Sequence, residues 1–481
     1  MVMNMPNWLK QRAFLTPDRS ALVFNERKWT FSQLFDETCR TADRLYSAGI
    51  QKGDYCGVLA ANQPETVFTI YALQQIGATA VMLNSRLTTD EIAWQLHDAK
   101  AVYLLYDQEH TEKAQLIPSI QSLFITGIET VSTAAEVRHT FSLEETCSIM
   151  YTSGTTGRPK GVIQTYGNHY TSAVASALNL GLHSDDTWLC AVPLFHISGY
   201  SILMKSVLYG MEVHLMEKFN SKRVNQLLKS GDATMVSVVT AMLSGMLNEL
   251  EGDYSSRLRC MLLGGGPAPV SILEACKAKR IPVFQTYGMT ETASQIVTLA
   301  PEDSLGKLGS AGKPLFPCAV KIDGADEGEI LVSGPNVTPG YLNRPDVNKQ
   351  AFQDGWFRTG DIGRLDEDGF LYVLDRRSDL IISGGENIYP AEIESVLTGH
   401  PAILEAGVTG VPNDQWGSVP AAFYVNKQPV SEEELIDFCR EKLARYKVPA
   451  YFVKVDALPR NAANKLLRRE LAKQWSEQDE D

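Results

Sequence analysis

The sequence predicts an α/β protein. A large N-terminal domain of mixed and parallel sheets covered by helices carries a β-rich subdomain, and a smaller α+β domain follows at the C-terminus. The chain has 481 residues, more than one hydrophobic core usually organises. Apolar strands alternate with helices up to about residue 305, a rhythm typical of parallel sheets with both faces covered. Glycine-rich short strands and then a separate helical module follow.

The N-terminal elements begin over residues 7–50 with a helix, a hairpin and a second helix, for which Ser32 is a plausible N-cap. Alternating strands and helices are then expected at Tyr55–Ala60, Glu65–Gly77, Thr79–Leu83, Thr89–Ala99 and Ala101–Tyr106. After residue 160 the rhythm returns, with strands expected at Trp188–Val192, Glu212–Leu215, Met235–Val239, Cys260–Leu263 and Val283–Thr286.

Beyond about residue 305, glycines, prolines and short strands predict a β-rich subdomain up to Asp375. From Ile381 onward, helices are expected at Ala391–Gly399, Ser431–Tyr446 and Lys465–Gln474, and strands at Ile403–Thr409, Pro420–Val425 and Tyr451–Val455. We therefore divide the chain into an N-terminal domain, residues 1–377, and a C-terminal domain, residues 378–481.

Composition excludes several classes of function. The net charge of −13 argues against general nucleic-acid binding, which requires a basic surface. The eight cysteines form no CxxC pair, so disulfide and zinc sites are disfavoured. No secretory signal and no apolar run of roughly 20 residues is present. We expect a soluble cytoplasmic protein with small-molecule partners, no nucleic acid and no membrane insertion; a homo-oligomer is left open.

A loop rich in hydrogen-bond donors follows an apolar strand at Met150-Tyr-Thr-Ser-Gly-Thr-Thr-Gly-Arg-Pro-Lys-Gly161. Consecutive backbone amides with hydroxyls form an anion-binding nest. Lys160 is followed by Gly161 instead of Ser or Thr, so the loop is not a Walker A motif. The residues expected to hold phosphate are Thr152, Ser153, Gly154, Thr155, Thr156, Gly157 and Lys160.

Further motifs follow in order: Tyr287-Gly-Met-Thr-Glu291, Thr359-Gly-Asp361, Asp375-Arg-Arg-Ser-Asp379 and Pro459-Arg-Asn-Ala-Ala-Asn-Lys465. Together with the phosphate loop, they resemble the adenylate-forming superfamily of acyl- and aryl-CoA ligases, peptide-synthetase adenylation domains and firefly luciferase. The resemblance covers nearly the whole chain. It implies ATP, Mg²⁺ and coenzyme A as cofactors, and a carboxylic acid activated as its acyl-adenylate and then transferred to CoA.

The resemblance also implies an ATP site. Glu291 would hold Mg²⁺, which takes few protein carboxylates and keeps part of its water shell. Thr290 would contact the α-phosphate. Adenine would lie between the glycines of Leu262-Leu-Gly-Gly-Gly266 and the ring of Tyr287. The residues implied for adenine and ribose are Gly265, Gly266, Tyr287, Asp361 and Arg376.

Adenylation itself is assigned to Lys465, a compact cation that can follow charge developing between carboxylate and phosphate. Asn464 stands before it where relatives usually carry Gly, and Asn tolerates left-handed backbone. The resemblance implies that the C-terminal domain rotates between half-reactions about a hinge at Ser378. It also implies a CoA site at Gly384, Gly385 and Trp416.

The acid pocket is expected around Pro193-Leu-Phe-His196, with His196 near the adenylate. If a helix starts near Ser198, then Ser198, Ser201 and Lys205 share one face. Lys205 then either pairs with a second carboxylate of the substrate or extends to solvent. Within the family, the chain is most similar to CoA ligases of an aromatic dicarboxylic acid. Further candidates for its pocket are Thr240, Ser294 and Gln295.

Three alternatives stay open at this point. The first is another aryl- or acyl-CoA ligase. A buried Lys205 would argue against it, because a monocarboxylate needs no buried cation. The second is an adenylation enzyme that loads a carrier protein, from which CoA dependence would discriminate. The third is a non-catalytic nucleotide-binding relative. The joint presence of Glu291, Asp361, Arg376 and Lys465 argues against the third.

Overall fold

The computed structural model describes residues 3–118, 120–129, 134–152, 159–266, 268–303, 306–376, 379–383, 386–413, 417–443, 445–460 and 466–478, with the backbone alone at 375, 376, 382, 386, 387, 477 and 478. The helices are α1 (Trp8–Leu15), α2 (Phe31–Ser47), α3 (Pro64–Ile76), α4 (Thr89–Asp98), α5 (Thr111–Gln115), α6 (Tyr166–Leu180), α7 (Ile197–Tyr209), α8 (Ser221–Ser230), α9 (Thr240–Asn248), α10 (Val270–Ala278), α11 (Pro345–Ala351), α12 (Pro390–Thr398), α13 (Glu432–Lys442) and α14 (Arg468–Gln478).

The strands alternate with these helices in the N-terminal part and cluster after it. They are β1 (Asn4–Pro6), β2 (Ser20–Phe24), β3 (Arg27–Thr30), β4 (Tyr55–Leu59), β5 (Thr79–Met82), β6 (Tyr103–Tyr106), β7 (Gln121–Phe124), β8 (Thr140–Ser142), β9 (Thr146–Thr152), β10 (Lys160–Thr165), β11 (Thr187–Cys190), β12 (Glu212–Leu215), β13 (Met235–Val239), β14 (Cys260–Gly264), β15 (Val283–Met289), β16 (Ser294–Thr298), β17 (Lys313–Pro314), β18 (Ala319–Asp323), β19 (Gly328–Ser333), β20 (Phe352–Gln353), β21 (Trp356–Leu365), β22 (Leu371–Arg376), β23 (Ile381–Ser383), β24 (Glu386–Ile388), β25 (Ile403–Asn413), β26 (Gly417–Asn426) and β27 (Tyr451–Lys454).

Two large sheets form the N-terminal part and confirm the predicted α/β class. The first has the order β10-β9-β5-β4-β6-β7, with only the β10–β9 pair antiparallel. The second has the order β17-β16-β15-β14-β13-β11-β12-β2-β3, parallel in its middle and antiparallel at both ends. The largest core contains residues of both sheets and of α2, α3, α6 and α7. Helix α7 is thus buried along most of its length.

The cap of α2 differs from the expectation. Ser32 lies inside the helix, and Thr30 is the N-cap: its hydroxyl accepts from the amide of Gln33, whose side chain accepts from the Thr30 amide. This reciprocal capping box satisfies two amides that helix geometry leaves without a partner, whereas a cap at Ser32 would satisfy one. The prediction of Ser32 was therefore wrong by two residues.

The β-rich subdomain and the C-terminal α+β module are both present. Strands β18, β19, β21 and β20 form an antiparallel sheet that β22 joins at β21. In the C-terminal part, β25, β26 and β27 form a sheet packed against α12, α13 and α14. Helix α13 ends at Lys442, before the predicted Tyr446, and a short 3-10 turn covers Arg445–Lys447.

Among the described residues, no helix is long and apolar enough to span a bilayer. All eight cysteines carry free thiols, and six of them are buried.

Candidate active site

A cavity of about 1600 Å³ opens where both large sheets, the β-rich subdomain and the C-terminal module meet. Its lining includes the facing ends of β9 and β10, the ends of β14 and β15, the buried face of α7 and the start of α14. Carboxyl ends of parallel strands are the usual place for ligands in α/β sheets. Four parts of the chain that are distant in sequence therefore contribute to one site.

The phosphate loop begins and ends at this cavity. Thr152 at the end of β9 and Lys160 at the start of β10 are paired neighbours in the antiparallel register, and both line the cavity. Ser153, Gly154, Thr155, Thr156 and Gly157 lie between them and outside the described residues. The Nζ atom of Lys160 lies 5.0 Å from the ring centroid of Tyr341.

Thr290 and Glu291 lie on a 3-10 turn, Thr290–Thr292, and both line the cavity. The Nε2 group of Gln164 donates to the Thr290 carbonyl at 2.9 Å, and the Thr338 amide donates to the Glu291 carbonyl at 2.7 Å. The Glu291 side chain accepts from the hydroxyl of Tyr341 at 2.9 Å. These bonds attach the turn to β10 and to the segment after β19.

The glycines predicted to face adenine close a tight turn after β14. Gly265 and Gly266 have φ of +87° and +154°, which L side chains rarely adopt. Gly265 lines the cavity. Tyr287 and Asp361 are hydrogen-bonded to each other at 2.8 Å and do not line the cavity. Their neighbours do line it, namely Thr286, Gly288 and Gly360.

His196 caps α7 beside the cavity, with its ring centroid 4.6 Å from that of Phe195. Burial, and secondarily the nearby Arg86, lower the pKa of His196 to about 4. The imidazole is therefore neutral at pH 7. A group with so low a pKa is a weak general base near neutrality, so its position matters more than its basicity.

Lys205 lies on α7 on the same face as Ser198 and Ser201, and all three line the cavity. Only 2% of Lys205 is exposed, so it does not extend to solvent. Its Nζ donates to Gln295 Oε1 at 2.8 Å and lies 5.1 Å from the Trp188 ring centroid. Burial lowers the pKa of Lys205 to about 7. At α7 the cavity wall thus contains a desolvated amine, and its two contacts, the Gln295 amide and the Trp188 ring, are neutral.

Of the three remaining acid-pocket candidates, two line the cavity and one does not. Ser294 and Gln295 line the cavity at the start of β16. Thr240 is the first residue of α9 and does not line it, whereas Val238 and Val239 at the end of β13 do.

Several predicted residues lie outside the described part of the chain: Lys465, Ser378, Gly384, Gly385, Trp416 and the side chain of Arg376. The described residues before and after the segment that carries Lys465 nevertheless contact each other. Arg460 and Leu466 form an isolated β-bridge, and the Leu467 amide donates to the Pro459 carbonyl at 2.9 Å. Arg460 and Leu466, the described residues on either side of 461–465, both line the cavity.

The cavity residues that sequence reasoning missed include Tyr341, Arg86 and Arg468. Arg468 donates to Asp379 Oδ2 at 2.8 Å and to both carboxylate oxygens of Glu394. Tyr341 follows a Pro-Gly pair that signals a loop and nothing more. The hydrogen bonds from Tyr341 to Glu291 and from Arg468 to Asp379 join residues 50 and 89 positions apart, and no local pattern encodes such separations.

Comparisons with known proteins agree with this architecture. The AMP-binding enzyme family model matches residues 9–342, and the model of the AMP-binding enzyme C-terminal domain matches residues 392–465. A 2-succinylbenzoate–CoA ligase of Geobacillus kaustophilus is 57% identical over 480 residues, 97% of either chain. A ligase of the same name from Bacillus thuringiensis is 53% identical over 479 residues, 98% of either chain.

Solved structures of the o-succinylbenzoate CoA synthetase of Bacillus subtilis are similar over the whole chain. Its complex with the acyl-adenylate OSB-AMP has a TM-score of 0.94 at 50% identity and 98% coverage of both chains. Its complex with ATP and magnesium has 0.93 at 51%, covering 98% of this chain and 100% of that one. A double mutant bound to the product analogue OSB-NCoA has 0.77 at 50%, covering 98% and 99%. The chain therefore belongs to the AMP-binding enzymes of the adenylate-forming superfamily and, within them, to the 2-succinylbenzoate–CoA ligases.

Proposed function

We propose that this chain converts 2-succinylbenzoate, ATP and CoA to 2-succinylbenzoyl-CoA, AMP and pyrophosphate through an acyl-adenylate, a step of menaquinone biosynthesis. The observation that carries the proposal is the buried cation Lys205, in the same cavity as both ends of the phosphate loop. A monocarboxylic acid offers no second carboxylate with which a desolvated amine could pair, whereas an aromatic dicarboxylate does. The identity of more than half of all positions to a ligase of this name supports the same substrate.

In the first half-reaction, an oxygen of the substrate carboxylate attacks the α-phosphorus of ATP. The bond from that phosphorus to the bridging oxygen breaks, and pyrophosphate leaves with the electron pair. Two anions must be held together while charge develops, so fixed donors and cations stabilise the transition state. We assign the β- and γ-phosphates to Lys160 and residues 152–157, the α-phosphate to Thr290, and the reacting oxygens to Lys465.

The residues present fit a magnesium ion that is shared with ATP. Among the described residues, no group of three or more His, Cys, Asp or Glu could hold a metal by itself. Mg²⁺ is usually bound by one or two carboxylates together with substrate phosphates and water. Glu291, buried to 8% exposure at the cavity wall, supplies one carboxylate. When bound there, the ion neutralises phosphate charge.

The nucleoside is assigned to the glycine turn and the β-rich subdomain. Gly265 and Gly266 offer adenine a flat backbone surface, and Tyr287 would cover its other face. Asp361 and Arg376 would bind the ribose. The hydrogen bond from the Tyr287 hydroxyl to Asp361 supports their joint role, since it links the adenine and ribose positions directly.

The acid is assigned to the end of the cavity at α7. The charged form of Lys205 would pair with the second carboxylate, and the neutral Gln295 would orient the amine without competing for its charge. Ser198 and Ser294, which line the cavity, complete the proposed pocket. The aromatic ring would lie along the apolar wall that Val238, Val239 and Phe195 provide.

In the second half-reaction, the CoA sulfur attacks the acyl carbon, the bond to AMP breaks, and the thiol proton is released. We propose that residues 378–481 rotate about Ser378 between the two steps, removing Lys465 and bringing Gly384, Gly385 and Trp416 to the thiol and nucleotide of CoA. The two TM-scores to the Bacillus subtilis enzyme, 0.94 and 0.77 at equal identity, support more than one domain arrangement. His196 would act by position next to the adenylate.

We also propose a cytoplasmic location, which the eight free thiols support. The proposed partners are the acid, ATP and CoA. The oligomeric state stays open.

The test is a panel of acids incubated with ATP and CoA, with AMP release and thioester mass as readouts. We expect 2-succinylbenzoate to be converted far better than benzoate or fatty acids, and only when CoA is present. Equal conversion of benzoate would favour a general aryl-CoA ligase. Acyl-AMP without any CoA thioester would favour the loading of a carrier protein.

A further inference from the structure

The hydroxyl of Tyr341 and the carboxylate of Glu291 meet at the cavity wall. The hydroxyl donates to Glu291 Oε1 at 2.9 Å, and the two side chains are 7% and 8% exposed. A hydrogen bond to a charged group in a desolvated place is stronger than one in water. The bond therefore restricts rotation of the carboxylate that we assign to Mg²⁺.

The backbone of Tyr341 is itself fixed on two sides. Its amide donates to Asn348 Oδ1 at 2.7 Å, and its carbonyl accepts from Asn348 Nδ2 at 2.9 Å. An isolated β-bridge joins it to Val162 of β10, and the next amide, of Leu342, donates to the Gly161 carbonyl at 2.8 Å. The phenol is therefore attached to the strand that follows the phosphate loop.

The same ring also contacts the cation of that loop. Lys160 Nζ lies 5.0 Å from the Tyr341 ring centroid, within the range of a cation–π contact. One side chain thus touches the cation expected at the phosphates with its face and the carboxylate expected at the metal with its hydroxyl. No other part of the proposed mechanism uses this tyrosine.

We propose that Tyr341 is a positioning residue for magnesium: its hydroxyl holds the Glu291 carboxylate in the orientation that receives the ion bound to ATP, while its ring holds Lys160 at the phosphates. This inference rests on the proposed role of Glu291. Loss of a hydrogen-bond partner behind a metal ligand typically weakens metal binding by roughly 10- to 100-fold. Since Tyr341→Phe keeps the ring and the Lys160 contact, we expect the lower end, about tenfold.

The experiment compares the wild-type chain with Tyr341→Phe in two assays. In the first, Mn²⁺ binding is measured by electron paramagnetic resonance with a non-hydrolysable ATP analogue, which needs no turnover. In the second, acyl-AMP formation is titrated with Mg²⁺. We expect about tenfold weaker Mn²⁺ binding and an equally shifted Mg²⁺ requirement, with kcat restored close to wild type at saturating Mg²⁺.

Tyr254→Phe is the matched control, because its hydroxyl donates to Asn225 Oδ1 at 2.7 Å and Tyr254 does not line the cavity. It should leave both assays unchanged. In a Glu291→Gln background, Tyr341→Phe should have no further effect on Mn²⁺ binding, because the carboxylate it positions is absent.

Unchanged Mn²⁺ binding in Tyr341→Phe would overturn the inference, as would a fall in kcat that saturating Mg²⁺ does not restore. A tenfold loss that persists in the Glu291→Gln background would also overturn it. Failure of the wild-type chain to form acyl-AMP would count against the proposed function instead, and the Mn²⁺ comparison would still report on Tyr341.

Discussion

The two ends of the cavity handle charge in opposite ways. At the α7 end, Lys205 is buried, and the groups that hold it are the amide of Gln295 and the ring of Trp188, both neutral. At the C-terminal end, Arg468 is paired with Asp379 and Glu394, and Arg460 with Glu405. All of these carboxylates belong to the same C-terminal segment as the arginines.

This difference fits the roles that we propose for the two ends. A buried cation without a carboxylate is costly until a ligand supplies one, so it discriminates strongly between acids. Cations already neutralised within their own domain leave no buried charge behind when that domain moves. The cation without a carboxylate partner thus lies where substrate specificity is proposed, and the paired cations lie where motion is proposed.

The largest expected effect concerns the C-terminal part, which we propose to rotate. Lys465→Ala should lower acyl-AMP formation by roughly a thousandfold, the upper range for loss of one group that stabilises developing charge. Transfer from preformed acyl-AMP to CoA should stay near wild type, since the proposed rotation removes Lys465 from the site before that step. Single-turnover assays of each half-reaction measure this. Equal losses in both would contradict a division of work between two domain arrangements.

The next largest effect concerns the α7 end of the cavity. Lys205→Met should raise the KM for 2-succinylbenzoate by roughly a hundredfold, because the second carboxylate would be buried without a partner. Methionine fills most of the space, so the apolar wall is kept. The KM for a benzoate analogue that lacks the second acid should change little. A similar rise for both acids would remove Lys205 from the substrate pocket.

The charge of Lys205 should also be visible in the pH dependence of KM. Burial lowers its pKa to about 7, so the amine is charged below that pH and loses its proton above it. KM for the dicarboxylate should be flat below pH 7 and rise by up to about tenfold per pH unit above it, because binding then requires uptake of a proton.

The titratable groups near Lys205 do not obscure this signal. Burial lowers the pKa of His169 to about 3 and raises that of the Cys260 thiol to about 12, so both are neutral throughout. In Lys205→Met the profile should lose its slope between pH 7 and 9. A slope that survives in the variant would assign the titration to another group.

The smallest expected effect concerns a contact between the C-terminal part and the β-rich subdomain. The hydroxyl of Tyr389, just before α12, donates to Glu327 Oε2 in the β-rich subdomain at 2.7 Å. Tyr389→Phe should destabilise this domain arrangement by about 1 kcal/mol and slow adenylation by about fivefold. The thioester half-reaction should not slow. Tyr254→Phe serves as the control, and slowing of both half-reactions would indicate a folding defect instead.

The predictable part of this protein is local or periodic. The strand–helix rhythm between Tyr55 and Tyr106 follows from hydrophobic patterning, whereas the sequence left open whether Lys205, in the apolar helix α7, is buried or extends to solvent. The α2 cap was missed because both Thr30 and Ser32 suit a cap, and only the partner Gln33 decides between them. Tyr341 was missed because its partner Glu291 is 50 residues away, a contact that tertiary packing alone creates.

The burial of six of the eight cysteines bears on how the acyl-adenylate is protected from side reactions. An acyl-adenylate reacts with any accessible thiolate, so an enzyme that makes one risks acylating itself. None of the eight cysteines lines the cavity. Burial also raises the pKa of Cys190 and Cys260 to about 12, which keeps these thiols protonated and unreactive. The chain can therefore hold its activated intermediate until the thiol of CoA arrives as the sole competent nucleophile of its kind.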